Sequence, residues 1–215
     1  MKYNCVVFDL DGTLLDTLGD LRDSVNFALS KNSLPCRTTE EIRSFVGNGI
    51  RLLIERAVPE NTEIEIIDKC FDDFKVHYKG NSSNKTKPYD GVTDVLNELK
   101  AQGFKLALVS NKADFAVQEI VGKYFPDVFQ YATGEKEGVR RKPYPDSVFA
   151  AMEYLGSDKN NTVYIGDSEV DVETARNCGI PCVAVTWGFR DKRVLEKLKP
   201  EYLVCEARQI IDILK

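Results

Sequence analysis

The 215-residue sequence predicts an α/β fold, a parallel β-sheet sandwiched by helices and interrupted once by an inserted α-helical domain. Three observations predict it. Short apolar runs alternate with helix-length amphipathic stretches from about residue 89 onward. The runs are apolar almost throughout, as strands covered on both faces must be. Between the first run and the others, residues 17–84 show helical patterns alone.

The first strand is "CVVFDL" (5–10). Four helical patterns follow it: "DLRDSVNFALSKN" (20–32), "TTEEIRSFV" (38–46), "GIRLLIERAV" (49–58) and "NTEIEIIDKCFDDFKVHYKG" (61–80). In the last, Ile67, Phe71, Phe74 and Tyr78 recur along one face. The polar stretch "KGNSSNKTKPYDG" (79–91) reads as a linker back to the sheet. The expected division is a core of residues 1–16 and 85–215 around a helical domain of residues 17–84. A domain inserted through two linkers can hinge over a site. The remaining strands are "KLALVS" (105–110), "FQYATG" (129–134), "TVYIGD" (162–167), "PCVAVT" (181–186) and "EYLVC" (201–205). The helices between them cover 91–103, 112–125, 145–156 and 168–179, with Gly103, Gly156 and Gly179 placed to end three of them. Such alternation implies βαβ units and a Rossmann-like sheet.

Composition narrows the function classes. Hydrophobic content of 43% and charged content of 29% suit a globular protein, and the net charge of −5 provides no basic stripe for nucleic acid. No apolar run approaches the ~20 residues that cross a bilayer. The apolar run at the start is too short for a signal peptide and is interrupted by Asp9. The six cysteines form no CxxC pair, which predicts reduced thiols and a cytoplasmic setting.

In open parallel sheets ligands bind beyond the carboxyl ends of the strands, and here several strand ends are polar. The first delivers Asp9, Asp11, Gly12 and Thr13, the second Ser110, Asn111 and Lys112, the fourth Asp167, Ser168 and Asp171. Lys142 sits in "RRKPYP" after the third run. Carboxylates from two strands, Asp9 and Asp167, can converge on Mg²⁺, a hard cation that takes oxygen ligands. Ser110 and Lys142 supply donors for phosphate, with Asn111 beside them. Gly12 and Thr13 let the backbone approach a phosphate closely. Asp9 suits a nucleophile toward phosphorus, and Asp11 can pass protons to the leaving group and from water. An unpaired carboxylate at the end of an apolar strand costs stability, so Asp9 carries a function.

In order, "FDLDGTLLD", "VSNK", "RRKP" and "GDSEVD" resemble the four motifs of the haloacid dehalogenase superfamily of phosphohydrolases. The inserted helices resemble its C1-type cap. The resemblance implies a HAD-like core with Asp9 as nucleophile and Mg²⁺ ligand. It implies Asp11 as general acid/base, ligating the metal through its backbone carbonyl. Ser110 and Lys142 then hold phosphate, Asp167 completes the metal site, and Asp171 is a supporting acid. Dehalogenases of the superfamily lack an acid at the position of Asp11, which favours phosphate-ester chemistry here. "FVGNGIRLLIERAV" and "VTWGFRDKRVL" resemble bacterial phosphoglycolate phosphatases most closely. Gly47, Asn48 and Gly49 then form a substrate-reading turn, and Arg51 meets a substrate carboxylate.

Duller roles compete for several residues. Asp16 suits a helix N-cap, Asp171 a helix first turn, Gly47 and Gly49 ordinary turns, and Arg51 a solvated helix face. His77 reads as structural, and Trp187 as packing a loop. The expected partner is a small phosphorylated metabolite, with no nucleic acid or membrane, and the protein a monomer or homodimer. Alternatives on the same site are β-phosphoglucomutase-like phosphoryl transfer, a pyrophosphatase, or a non-catalytic module that binds a phosphometabolite.

Overall fold

The computed structural model describes residues 2–215. Six strands form one parallel sheet in the order β5-β4-β1-β6-β7-β8. They are β1 (Cys5–Phe8), β4 (Lys105–Ala113), β5 (Tyr131–Glu135), β6 (Thr162–Gly166), β7 (Cys182–Val185) and β8 (Tyr202–Val204). Around them pack α5 (Val92–Ala101), α6 (Asp114–Tyr124), α7 (Asp146–Tyr154), α8 (Glu169–Cys178), α9 (Lys192–Leu198) and α10 (Gln209–Leu214). Alternation of side chains along each strand sorts the core into two layers. Val6, Phe8, Leu106, Leu108, Val163 and Ile165 pack against α5, α6 and α10. Val7, Ala107, Val109, Tyr164 and Ala184 face α7, α8 and α9. Phe8 and Tyr164 are buried on opposite sides, which fixes the register of the central strands.

Four helices interrupt this sheet after its first strand: α1 (Leu18–Lys31), α2 (Thr39–Phe45), α3 (Ile50–Ala57) and α4 (Ile64–Asn81). They enclose a separate apolar cluster of Leu21, Val25, Leu29, Ile42, Leu53, Ile54, Phe74 and Tyr78, which Phe189 joins from the far end of the chain. On α4, Phe74 and Tyr78 are fully buried with Cys70, while Ile67 and Phe71 are partly buried on the same face. A Thr38–Glu41 capping box opens α2. His77 lies on the outer side, bonded through Nδ1 to Ser24 Oγ at 3.0 Å and stacked on Phe27.

Where the chain leaves and rejoins the sheet, β2 (Leu15–Asp16) pairs antiparallel with β3 (Lys87–Pro88). The return segment is more ordered than its polar composition suggests. Helix α4 continues through Gly80 to Asn81, and the buried Asp20 carboxylate accepts the backbone N–H of Lys85 and of Thr86. Asp16 is not the N-cap of α1, since that position belongs to Thr17. Its carboxylate instead accepts the Leu18 N–H at 3.3 Å from one residue earlier.

All six strands differ from their expected bounds, four by trimmed ends and β4 and β5 in their pairing. β4 runs on through Ser110, Asn111 and Lys112, past a register shift between Val109 and Ala113 against β5. β5 starts two residues late because the Gln130 side-chain carbonyl takes the Leu106 N–H at 2.6 Å in place of a ladder partner.

Candidate active site

The site forms at the carboxyl end of the sheet, around β1. Its neighbours β4 and β6 lie on opposite sides, so the connections diverge there and leave a crevice. Rigid β1 holds Asp9 one residue beyond Phe8, and β6 places Asp167 directly after Gly166. Lys142 reaches in from the loop before α7, its bond to Pro143 being cis. Helices α1, α3 and α4 cover the crevice from above with Leu21, Ile50, Leu53 and Tyr78.

Lys142 is the electrostatic centre of the cluster. Its ammonium donates to Asp9 Oδ1 at 2.6 Å, to Asp171 Oδ1 at 2.9 Å and to the Tyr164 hydroxyl at 2.9 Å. Asp171 also accepts from the Ser168 N–H and hydroxyl at 3.1 and 2.6 Å, so it caps α8 and neutralises Lys142 at once. The first-turn role expected of Asp171 is thus filled, and its contact with Lys142 is a further one. Asp167 accepts the Phe189 N–H at 2.6 Å and the Thr13 hydroxyl at 3.4 Å.

Asp9, Asp167 and Asp171 each present a carboxylate oxygen within 4.8 Å of the others, and no thiolate or imidazole belongs to this group. Three hard anionic oxygens in a buried cleft fit a cation such as Mg²⁺. Burial, opposed by Lys142, lifts the Asp9 carboxyl to about 7. Burial and the adjoining Asp171 and Asp9 carboxylates raise Asp167 well above the ordinary carboxylate range. Because the folded state holds this proton more tightly than the unfolded chain, Asp167's contribution to stability is full at low pH. It is lost as pH rises through the raised folded value. Without added metal at pH 8, Asp167→Asn is therefore expected to raise the melting temperature by ~2–4 °C, about 1 kcal/mol for a chain of this size. Thermal melts in EDTA at pH 5 and pH 8 check this, with the gain smaller at pH 5.

Gly12 is required where it stands. Its φ is +91°, and a Cβ there would collide with the Asp167 carboxylate. Gly12 and Thr13 therefore shape the floor under Asp167 and do not line the cavity itself. Ser110 lines it, with Oγ accepting the Lys112 N–H at 3.2 Å. Asn111 lines it too, but its amide N–H groups already reach the carbonyls of Gly47 and Lys142 at 3.1 and 3.0 Å. Its spare atom, Oδ1, is an acceptor, which cannot bind phosphate oxygens. The side chain of Asn111 ties the Gly47 turn to the sheet.

The covering segment differs from the sequence expectation in two respects. Gly47 and Gly49 line the cavity; Asn48 is not among its lining residues. Arg51 turns outward, bonded to Glu55 at 2.6 Å and Asp68 at 2.5 Å and lying over the Phe71 ring. The arginine on the cavity wall is Arg190, held by Glu169 at 2.7 and 3.0 Å and donating to the Arg43 and Val46 carbonyls. It joins the loop after β7 to the inserted helices.

Lys112, named at a strand end without a role, and Trp187, expected to pack a loop, complete the site with Gly188, which the sequence did not single out. Lys112 donates to both Asp11 carboxylate oxygens, at 3.0 and 3.3 Å, and to the Tyr78 hydroxyl at 2.6 Å. Trp187 donates to the Thr13 carbonyl at 3.0 Å, and a Cβ on Gly188 would strike Asp167. The strand-end rule, applied to β7 as to β1, β4 and β6, reaches this last loop.

Residues 6–185 match the family described as haloacid dehalogenase-like hydrolase. The phosphoglycolate phosphatase of Mesorhizobium japonicum is 35% identical over 202 residues, covering 91% of this chain and 88% of that one. That of Agrobacterium fabrum is 31% identical over 202 residues, covering 92% and 86%. A crystal structure from Lactobacillus delbrueckii subsp. bulgaricus, provisionally named a phosphoglycolate phosphatase, superposes with a TM-score of 0.94 at 35% identity, covering 100% of this chain and 99% of that one. One from Haemophilus somnus, a predicted phosphoglycolate phosphatase, gives 0.93 at 28% identity with the same coverage. With the motif residues gathered at the end of a parallel sheet and the match spanning most of the chain, the protein belongs to the haloacid dehalogenase-like hydrolase family.

Proposed function

We propose that the protein is a Mg²⁺-dependent phosphatase that hydrolyses a small phosphomonoester, 2-phosphoglycolate being the preferred substrate, through a phosphoaspartyl intermediate. The observation that carries this reading is Asp9, held by Lys142 at 2.6 Å at the end of β1 and grouped with Asp167 and Asp171. The relatives named above support the choice of substrate.

Asp9 attacks phosphorus through the carboxylate oxygen not held by Lys142, and the bond from phosphorus to the ester oxygen breaks. Asp11 gives its proton to the departing alkoxide. It then takes a proton from water, which attacks phosphorus, and the Asp9–phosphorus bond breaks to release phosphate. Lys142 and Ser110 hold phosphoryl oxygens throughout and lower the repulsion between substrate and Asp9. Mg²⁺, held by Asp9, Asp167 and the Asp11 carbonyl with Asp171 in support, would supply charge neutralisation at the phosphoryl group.

Residues 17–84 act as a cap. Leu21, Val46, Ile50 and Leu53 make its inner face apolar. Arg190 lines the cavity in place of Arg51, and the one Nη1 N–H not engaged by Glu169, Arg43 or Val46 is assigned to the substrate carboxylate. The six free thiols suit a cytoplasmic enzyme.

Phosphate release from 2-phosphoglycolate, glycerol 3-phosphate, glucose 1-phosphate and pyrophosphate, each with Mg²⁺ and then with EDTA, tests the proposal. Metal-dependent release with 2-phosphoglycolate giving the highest kcat/KM is expected. Isomerised sugar phosphate, preference for pyrophosphate, or binding without turnover would each replace the reading with the corresponding alternative.

A further inference from the structure

The general acid/base is joined to the cap through a buried relay that neither catalysis nor phosphate binding uses. Lys112 stands near the end of β4 with its side chain only 3% exposed. Its ammonium grips both oxygens of Asp11, at 3.0 and 3.3 Å, and its remaining bond, 2.6 Å long, goes to the hydroxyl of Tyr78 on α4. The Tyr78 ring is fixed in turn, 2% exposed and stacked on Phe74 at 5.1 Å. A buried ammonium is costly unless its bonds are well made, and those of Lys112 run to one loop of the core and one helix of the cap.

We infer that Lys112 and Tyr78 are positioning residues that aim the Asp11 carboxyl at the leaving-group oxygen and make that aim depend on the cap being seated. The two-pronged grip fixes the resting carboxylate, and when Asp11 carries its proton one oxygen stays on Lys112 while the other faces the leaving group. Because Tyr78 belongs to the cap, moving the cap off the sheet removes one of the relay's anchors and loosens Asp11. Hydrolysis would then be suppressed whenever the crevice is open to water without a substrate enclosed. The inference rests on the phosphatase reading, with Asp11 as acid/base.

A positioning role has a signature that a merely structural ion pair lacks. An alkoxide leaves only with a proton, whereas p-nitrophenolate leaves without one, and kcat/KM reports the steps through departure of the leaving group. For Lys112→Met, kcat/KM on 2-phosphoglycolate is expected to fall ~10–100-fold, within the range attributable to a general acid. On p-nitrophenyl phosphate it is expected to change less than ~3-fold. Tyr78→Phe keeps the ring and loses only the hydroxyl, so it provides the same comparison in a fold little disturbed, with a smaller selective loss of ~3–10-fold. Lys112→Arg should restore part of the loss. Equal losses on both substrates, or none on either, would overturn the inference while leaving the phosphatase reading intact. A wild-type protein that hydrolyses neither substrate would overturn both.

Discussion

Asp9→Asn is expected to lower phosphate release by ~10⁴-fold or more, the scale on which loss of a covalent nucleophile registers. The carboxamide is nearly the same size and still presents an oxygen to Lys142, so the buried cluster keeps its shape. What it lacks is a nucleophilic anionic oxygen one residue beyond β1. Circular dichroism and thermal melting should show a folded protein, with kcat the quantity that collapses. Residual turnover within tenfold of wild type would mean that water attacks the ester directly and that Asp9 has another duty.

Lys142→Ala is expected to damage both stability and activity. The ammonium is the counter-charge to two carboxylates that are almost fully buried, Asp9 and Asp171. Removing one partner of a buried ion pair typically costs ~3–5 kcal/mol, because the other charge stays behind uncompensated. In this variant Asp9, which burial already lifts with Lys142 present, holds its proton more tightly still in the folded than in the unfolded protein. Its contribution to stability is therefore full at acidic pH and is lost as pH rises through the raised folded value. The melting-temperature deficit should be largest near pH 8 and shrink toward pH 5, while phosphate release stays low at both. Asp171→Asn in the same chain should recover part of the stability without recovering activity, since it removes one stranded charge but returns no phosphate donor.

The core of this account could be read from the sequence because it lies in strand ends. Asp9, Ser110 and Asp167 each follow an apolar run within a residue or two, and a parallel sheet brings such positions together by construction. Lys142 was marked by its motif resemblance, although no periodicity places it near Asp9, 133 residues earlier. The inner face of the cap was less legible. Tyr78 was expected as a core aromatic on α4, and it is buried, but only the folded chain shows its hydroxyl against Lys112. Arg51 and Arg190 show the same limit. Arg51 is near the Gly47 turn in sequence, yet acids on α3 and α4 draw it outward. Arg190 is remote in sequence and reaches the turn through the loop after β7. Partners of long charged side chains are set by the three-dimensional packing of helices, which helical spacing does not encode. The Asp20 contact with residues 85 and 86 is invisible for the same reason, and it turns an apparent linker into an ordered strap.

The central claim is that phosphorus becomes bonded to Asp9. Mixing the protein with substrate and Mg²⁺, quenching in acid within milliseconds and sequencing the N-terminal peptide by mass spectrometry tests it most directly. A single added phosphoryl group on Asp9, formed no more slowly than phosphate is released and absent from Asp9→Asn, is the predicted result. Phosphate released at full rate with no phosphorylated peptide at any quench time would contradict it.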